Sequence, residues 1–240
     1  NGPSEINSLV SNRTKQMLLG ISAIGMLAFV YAASTGQTTR AWQALLVNFL
    51  FFSGLAYAGV VISAILQVTG AHWGRSIKRL AEATASFLPV AFVLLMVLLV
   101  GSEHWAPWVH DPVDAKQGWL NVPFFVTRQT LMFLLLSVIS LGYVYRSLRP
   151  DVGMLNESAE RKAVGLSRRL IDGWQGVDNE RVLNQRSQDR LAPCLLIAYG
   201  WVLSLVAVDF VVALDPHWFS TLAGAYYFTG NVFIGIAFLV

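Results

Sequence analysis

The feature that most constrains this chain is a series of long apolar runs, too many and too long for a soluble core. They fall at about residues 15–33, 42–69, 84–101, 121–145, 191–214 and 221–240. A helix crossing the hydrocarbon layer needs roughly 20 mostly apolar residues, because no water there can satisfy an exposed backbone. The runs therefore predict an all-α, polytopic membrane helix bundle with six spans. Composition agrees: 55% of residues are hydrophobic and only 13% charged, with a mean hydropathy of +0.55. Soluble domains carry roughly twice that share of charge. Many of the eight Trp stand near the ends of runs, as interfacial residues do. The sole cysteine, Cys194, excludes an internal disulfide and an iron–sulfur or zinc site held by cysteines of this chain.

The chain reads as a single transmembrane domain over 1–240, with a hydrophilic connection over 146–190. Basic residues set the orientation. With the N-terminus in the cytoplasm, the inner segments hold Arg13, Lys15, Arg75, Lys78, Arg79 and nine more between Arg146 and Arg190. The outer loops hold Arg40 and Lys116. The expected location is a bacterial inner membrane, crossed several times. Within the inner connection, Leu155, Ala159, Ala163, Leu166, Leu170 and Trp174 recur at three- and four-residue steps. That pattern predicts an amphipathic helix, lying on the membrane surface or packed on the inner face of the chain itself. No basic leader with a small-residue cleavage site opens the sequence, and residues 222–240 stay apolar to the end. The expectation is a fragment of a longer protein.

Charges inside the runs point to the site. Asp209 lies in the fifth run and Arg128 in the fourth, at similar distances from their outer ends. A carboxylate inside a membrane is costly unless paired or functional. The two are expected to pair or to line a polar cavity; the alternative for Arg128 is to snorkel to the headgroups. Asp215-Pro216-His217 follows at the turn, where His217 can titrate near neutral pH or simply sit at the interface beside Trp218. His104 and His110 read as surface residues. Glu82, at the inner end of the third run, could open a proton route with Tyr57 and Gln67 of the second run. Asn48, Ser53 and Tyr57 form a polar stripe compatible with helix–helix hydrogen bonding alone.

Three segments carry a resemblance. They are Leu214-Asp215-Pro216-His217-Trp218-Phe219-Ser220-Thr221 after Asp209, Trp73-Gly74-Arg75 with Arg79 and Glu82, and Leu120-Asn121-Val122-Pro123-Phe124-Phe125 with Arg128. Together they resemble the F subunits (ActF) of bacterial alternative complex III, within the NrfD/polysulfide-reductase membrane-subunit superfamily. The resemblance covers about residue 15 to the end. It implies an all-helical subunit of about ten spans without haem or iron–sulfur centre. It further implies a quinol:electron-acceptor oxidoreductase in the respiratory chain, to which this subunit contributes quinol or menaquinol binding, proton transfer, or both. The acceptor would be cytochrome c or similar. Implied partners are an NrfD-like sister subunit, an iron–sulfur protein, c-type cytochrome subunits and membrane lipids. On that basis Asp209, His217, Asp215, Arg128, Glu82 and Tyr57 are candidates for quinone binding or proton transfer, and no residue is a catalytic or metal site. A structural scaffold subunit and a secondary transporter are the other classes, and clear inverted repeats with broken spans, which mark transporters, are not visible.

The orientation predicts that cysteine-directed labelling from outside reaches position 217 and spares position 161. The reverse pattern would overturn it.

Overall fold

The computed structural model describes residues 11–71, 74–158, 166–215 and 217–240. Every regular element among them is helical. In order these are α1 (Asn12–Ser34), α2 (Thr38–Val68), α3 (Arg75–Ala83), a 3₁₀ turn over Thr84–Phe87, α4 (Leu88–Val100) and the short α5 (Ser102–Trp105). After a loop with two more 3₁₀ turns come α6 (Val122–Glu157), α7 (Leu166–Leu170), α8 (Val177–Phe210) with a 3₁₀ turn over Val212–Leu214, and α9 (Ala223–Leu239). Among the described residues five helical stretches are long and apolar enough to cross a membrane, so the protein is a multi-pass helical membrane protein. They are α1, α2, Ser76–Val100, α6 and Val177–Leu214. The sixth expected span, α9, is apolar but has only 17 residues.

Three boundaries differ from expectation. The segment 70–83, read as a polar connection, is mostly α3, which runs through the 3₁₀ turn into α4. Pro89 stands at the start of α4 and has no N–H to return to the preceding turn, so the chain tightens there. The hydrophilic connection is shorter than 146–190, because α6 continues to Glu157 and α8 begins at Val177. Helices outrun the apolar segment whenever polar residues with good helix propensity follow it. The amphipathic helix over 155–174 does not form as one element among the described residues: Leu155 lies in the last turn of α6, and after α7 ends at Leu170 the chain leaves helical geometry over 171–176, with Gly173 and Gly176 at positive φ. Ala159, Arg161 and Ala163 of that pattern lie outside the described residues, as do Trp73 and Pro216.

Each end has a local cause. Asn121 caps α6 by accepting from Phe124 N at 3.0 Å, with Pro123 in the first turn, where a missing N–H costs nothing. Gly70, at φ 63°, ends α2 in a Schellman turn, with Ala71 N donating to Leu66 O and Gly70 N to Gln67 O.

Helix α2 is the axis of the bundle and packs against α1, α3, α4, α6, α8 and α9. Its residues 56–64 are buried without interruption, as befits a helix apolar on every side. Helices α6 and α8 pack along much of their length. Helix α1 buries no residue and presents Met17, Leu18, Ile24, Leu27 and Tyr31 outward. Two close approaches set the spacing. A Cβ on Gly59 would stand 2.4 Å from the Ala81 carbonyl oxygen, and one on Gly54 would collide with the Asn231 side chain.

Gly59→Ala should therefore destabilise the fold by about 1–3 kcal/mol, since the obstructing atom is backbone. Gly142→Ala, where the added methyl meets nothing within 4 Å, should be neutral or slightly stabilising. Thermal unfolding in detergent separates the two.

Candidate functional site

Two buried carboxylates define opposite ends of the bundle. Asp209 lies in the last turn of α8, later in the helix than its place within the fifth run implied, and has no exposed surface. It is buried by packing. Arg128, one and a half turns into α6, reaches it from Nε at 2.9 Å and stands at 2.8 Å through Nη2, both to Oδ2. The Nη2 contact is an ion contact aimed off the oxygen, not a second hydrogen bond. Gln129 Nε2 donates to the same oxygen, and Trp119 Nε1 donates to Oδ1 at 2.8 Å. Arg128 also donates to Trp119 O at 3.4 Å, and its guanidinium lies 3.9 Å from the Trp119 ring centre and 4.5 Å from that of Phe124. Arg128 is thus turned inward and does not snorkel. Its charge is neutralised by Asp209 and its faces are covered by aromatic rings, which compensates desolvation.

Asp215 and His217 do not join this cluster. Both are exposed, and Asp215 accepts from the His217 backbone N–H at 3.1 Å in a local turn. An apolar cleft of about 500 Å³ opens between the end of α8 and the start of α9, lined by Ala207, Val211, Trp218, Leu222, Tyr226 and Tyr227. Neither Asp209 nor His217 lines it.

At the other end Glu82, 2% exposed, is held by three helices. Ser63 of α2 and Ser147 of α6 donate to Oε1 at 2.8 and 2.6 Å, and Arg79 of α3 donates to Oε2 at 2.5 Å. Arg79 also donates to Ser147 O at 2.9 Å and pairs with Asp151 at 2.7 Å. Tyr143 donates to Ser63 O at 3.1 Å and shares a 3.2 Å contact with its hydroxyl. The expected partners of Glu82 lie elsewhere. Gln67 bridges Lys78 and Asp189, while Tyr57 hydrogen-bonds Ser137 at 2.7 Å and donates to Phe133 O at 3.3 Å. Among the described residues Asn48 and Ser53 bond their own helix, at Ala44 O and Phe49 O, so of the stripe they were read to form with Tyr57 it is Tyr57 that ties helices together.

One face of α6 connects these groups. Ser137, Ser140, Tyr143 and Ser147 recur at three- and four-residue steps and are all buried. Ser140 Oγ has no hydrogen-bond partner among the described residues. Toward Asp209 the stripe is interrupted by rings. Phe133 packs on Phe49 and Tyr57, Phe210 on Phe49, Phe125 and Trp105, and Trp108 on Phe125.

A third charged pair lies beyond the apolar segments. Arg149 holds Glu180 through two bonds of 2.8 Å, and this guanidinium keeps the Glu180 carboxyl below the usual carboxylate range. Among the described residues, no three His, Cys, Asp or Glu side chains are grouped to hold a metal ion.

The sequence reading missed Trp119, which it treated as an interfacial residue, and Gln129, Ser63, Tyr143 and Ser147. The spacing of Ser137, Ser140, Tyr143 and Ser147 was the available signal for the α6 stripe. The sequence matches no protein-family model and no curated protein.

Removing one member of a buried pair leaves an uncompensated charge and costs about 3–5 kcal/mol. Asp209→Asn should therefore lower folded yield and thermal stability, as should Arg128→Gln, and the double variant should recover part of the loss. Wild-type stability in Asp209→Asn would contradict the pairing.

Proposed function

We propose that this chain is a membrane subunit of a quinol:electron-acceptor oxidoreductase of the alternative complex III type. In this reading it carries no redox centre and serves proton transfer and quinol binding beside an NrfD-like sister subunit, an iron–sulfur protein and c-type cytochromes. The resemblance in the three segments supports the assignment to that complex. The basic-residue asymmetry supports a bacterial inner membrane with Glu82 at the cytoplasmic end and Asp209 at the outer end.

The observation that carries the proton-transfer role is the run from Glu82 through Ser63 and Tyr143 to Ser140, Ser137 and Tyr57. Glu82 is the titratable group at its mouth. Ser140 lies one turn from both Tyr143 and Ser137, with a hydroxyl open to a hydrogen-bonded carrier. Hydroxyls both donate and accept, so they pass a proton without holding charge. The ring layer around Phe133 stops the chain before Asp209, giving an inner half-path closed from the outer end. A quinol or menaquinol headgroup would use the apolar cleft between α8 and α9, with Trp218 against its ring.

A purely structural role is favoured by one observation, the complete set of donors around Asp209. The two roles divide by residue: Asp209 and Arg128 hold the outer end in shape, and Glu82 moves protons.

In the assembled complex, Glu82→Gln should lower coupled proton transfer by about 10²-fold, because the amide keeps the shape and loses the titratable proton. Ser140→Ala should slow it with unchanged assembly. Wild-type proton transfer, measured with a pH-sensitive dye in proteoliposomes, in Glu82→Gln would remove the path.

A further inference from the structure

A second polar feature lies beside the Glu82 mouth of the proton path and away from the cleft. Where α3, α6 and α8 leave the apolar segments, a cavity of about 780 Å³ opens among Lys78, Arg79, Arg181, Arg186, Asp151 and Gln188. Four cations and one carboxylate line it, a net charge of +3. Asp151 is already spent on Arg79 at 2.7 Å. Lys78 donates to Gln188 Oε1 and Gln67 Oε1, each at 3.0 Å, which fixes its ammonium at the cavity wall. Arg181 touches the Met154 sulfur at 2.9 Å, and neither it nor Arg186 has an ion-pair partner among the described residues.

We infer that this cavity is a phosphate site: it binds the phosphate of an anionic phospholipid headgroup or a free phosphate. Three observations converge. Like charges gathered around one concave space repel one another, and a bound anion relieves that repulsion. Two guanidiniums without carboxylates present planar donor forks that match phosphate oxygens in pairs, while the anchored Lys78 adds a point charge. The depth is also right. Lys78 is six residues before the apolar run that opens at Thr84, Ser147 two residues after Tyr145, and Gln188 and Arg186 three and five residues before Leu191. At 1.5 Å per residue these lie within about 9 Å of the apolar boundary, at the headgroup layer, and Arg181, ten residues before Leu191, stands farther out at the cavity's mouth. A basic pocket between helices at that level suits an anionic lipid headgroup. The site borders Glu82 through Arg79, but its argument does not use the proton path.

The test uses the full-length protein in the assembly in which it occurs, reconstituted with a photoactivatable phosphatidylglycerol or, in parallel, a photoactivatable phosphatidylcholine. Crosslinks to peptides spanning 147–154 and 181–188 are quantified by mass spectrometry. Wild type should label with the anionic probe roughly ten-fold more than with the zwitterionic one. Arg181→Gln with Arg186→Gln should lose most of that preference. Arg181→Lys with Arg186→Lys should keep part of it, and Arg168→Gln, outside the cavity, should change nothing. Both target side chains are exposed, so their removal strands no buried partner. Excess inorganic phosphate that abolishes labelling identifies the ligand as free phosphate. Labelling that survives it identifies the lipid headgroup. Equal labelling by the two probes, or an unchanged preference in the double glutamine variant, would overturn the site.

Discussion

The structure depends on how two charges are kept out of lipid. Arg128 and Asp209 sit on helices that cross the bundle in opposite directions, and neither could stand alone in an apolar surrounding. Their contact fixes the end of α8 against the start of α6. Trp119 and Gln129 complete the set, one carboxylate oxygen taking the indole N–H and the other the guanidinium and the amide. The Trp119 and Phe124 rings then cover the guanidinium. Everything at this end is arranged around satisfying one carboxylate.

The opposite end solves the same problem differently. Glu82 shares its environment with hydroxyls and with Arg79, which is only half-buried and divides its charge between Glu82 and Asp151. A carboxylate surrounded by rotatable O–H groups can exchange a proton with little rearrangement. One held by fixed N–H donors cannot. Between the two ends the rings of Phe49, Phe133, Phe210 and Trp105 fill the bundle, and the hydrogen-bonded face of α6 stops at Phe133. One end thus holds its carboxylate with N–H donors and the other largely with hydroxyls, with an aromatic layer between them.

Much of the fold was legible in the sequence, because apolar length is a direct physical requirement of crossing a bilayer. The helix ends were less so: α6 and α8 extend about three to four turns beyond their apolar runs, and a hydropathy pattern does not report where a polar helix continues. The pairing of Arg128 with Asp209 could be anticipated from sign and depth alone. Glu82 could be noticed as an acid at the inner end of the third run, but its partners could not. Ser63, Tyr143 and Ser147 come from two helices far apart in sequence, and which faces meet is decided by close approaches such as Gly59 on Ala81. His217 and Asp215 drew attention through their side-chain chemistry, yet both lie exposed, and Asp215 accepts from the His217 backbone N–H rather than joining the cluster.

The central claim is that Asp209 is an ionised carboxylate locked by donors. Each of its oxygens accepts from a donor, and among the described residues no acceptor faces it to take a proton in a hydrogen bond. Infrared difference spectroscopy at neutral pH, subtracting the Asp209→Asn protein from wild type, reads this state directly. The account predicts the loss of a carboxylate stretch with no change in the protonated carboxyl region. Loss of a protonated carboxyl band instead would contradict it and would make Asp209 a proton-carrying group rather than the fixed end of the bundle.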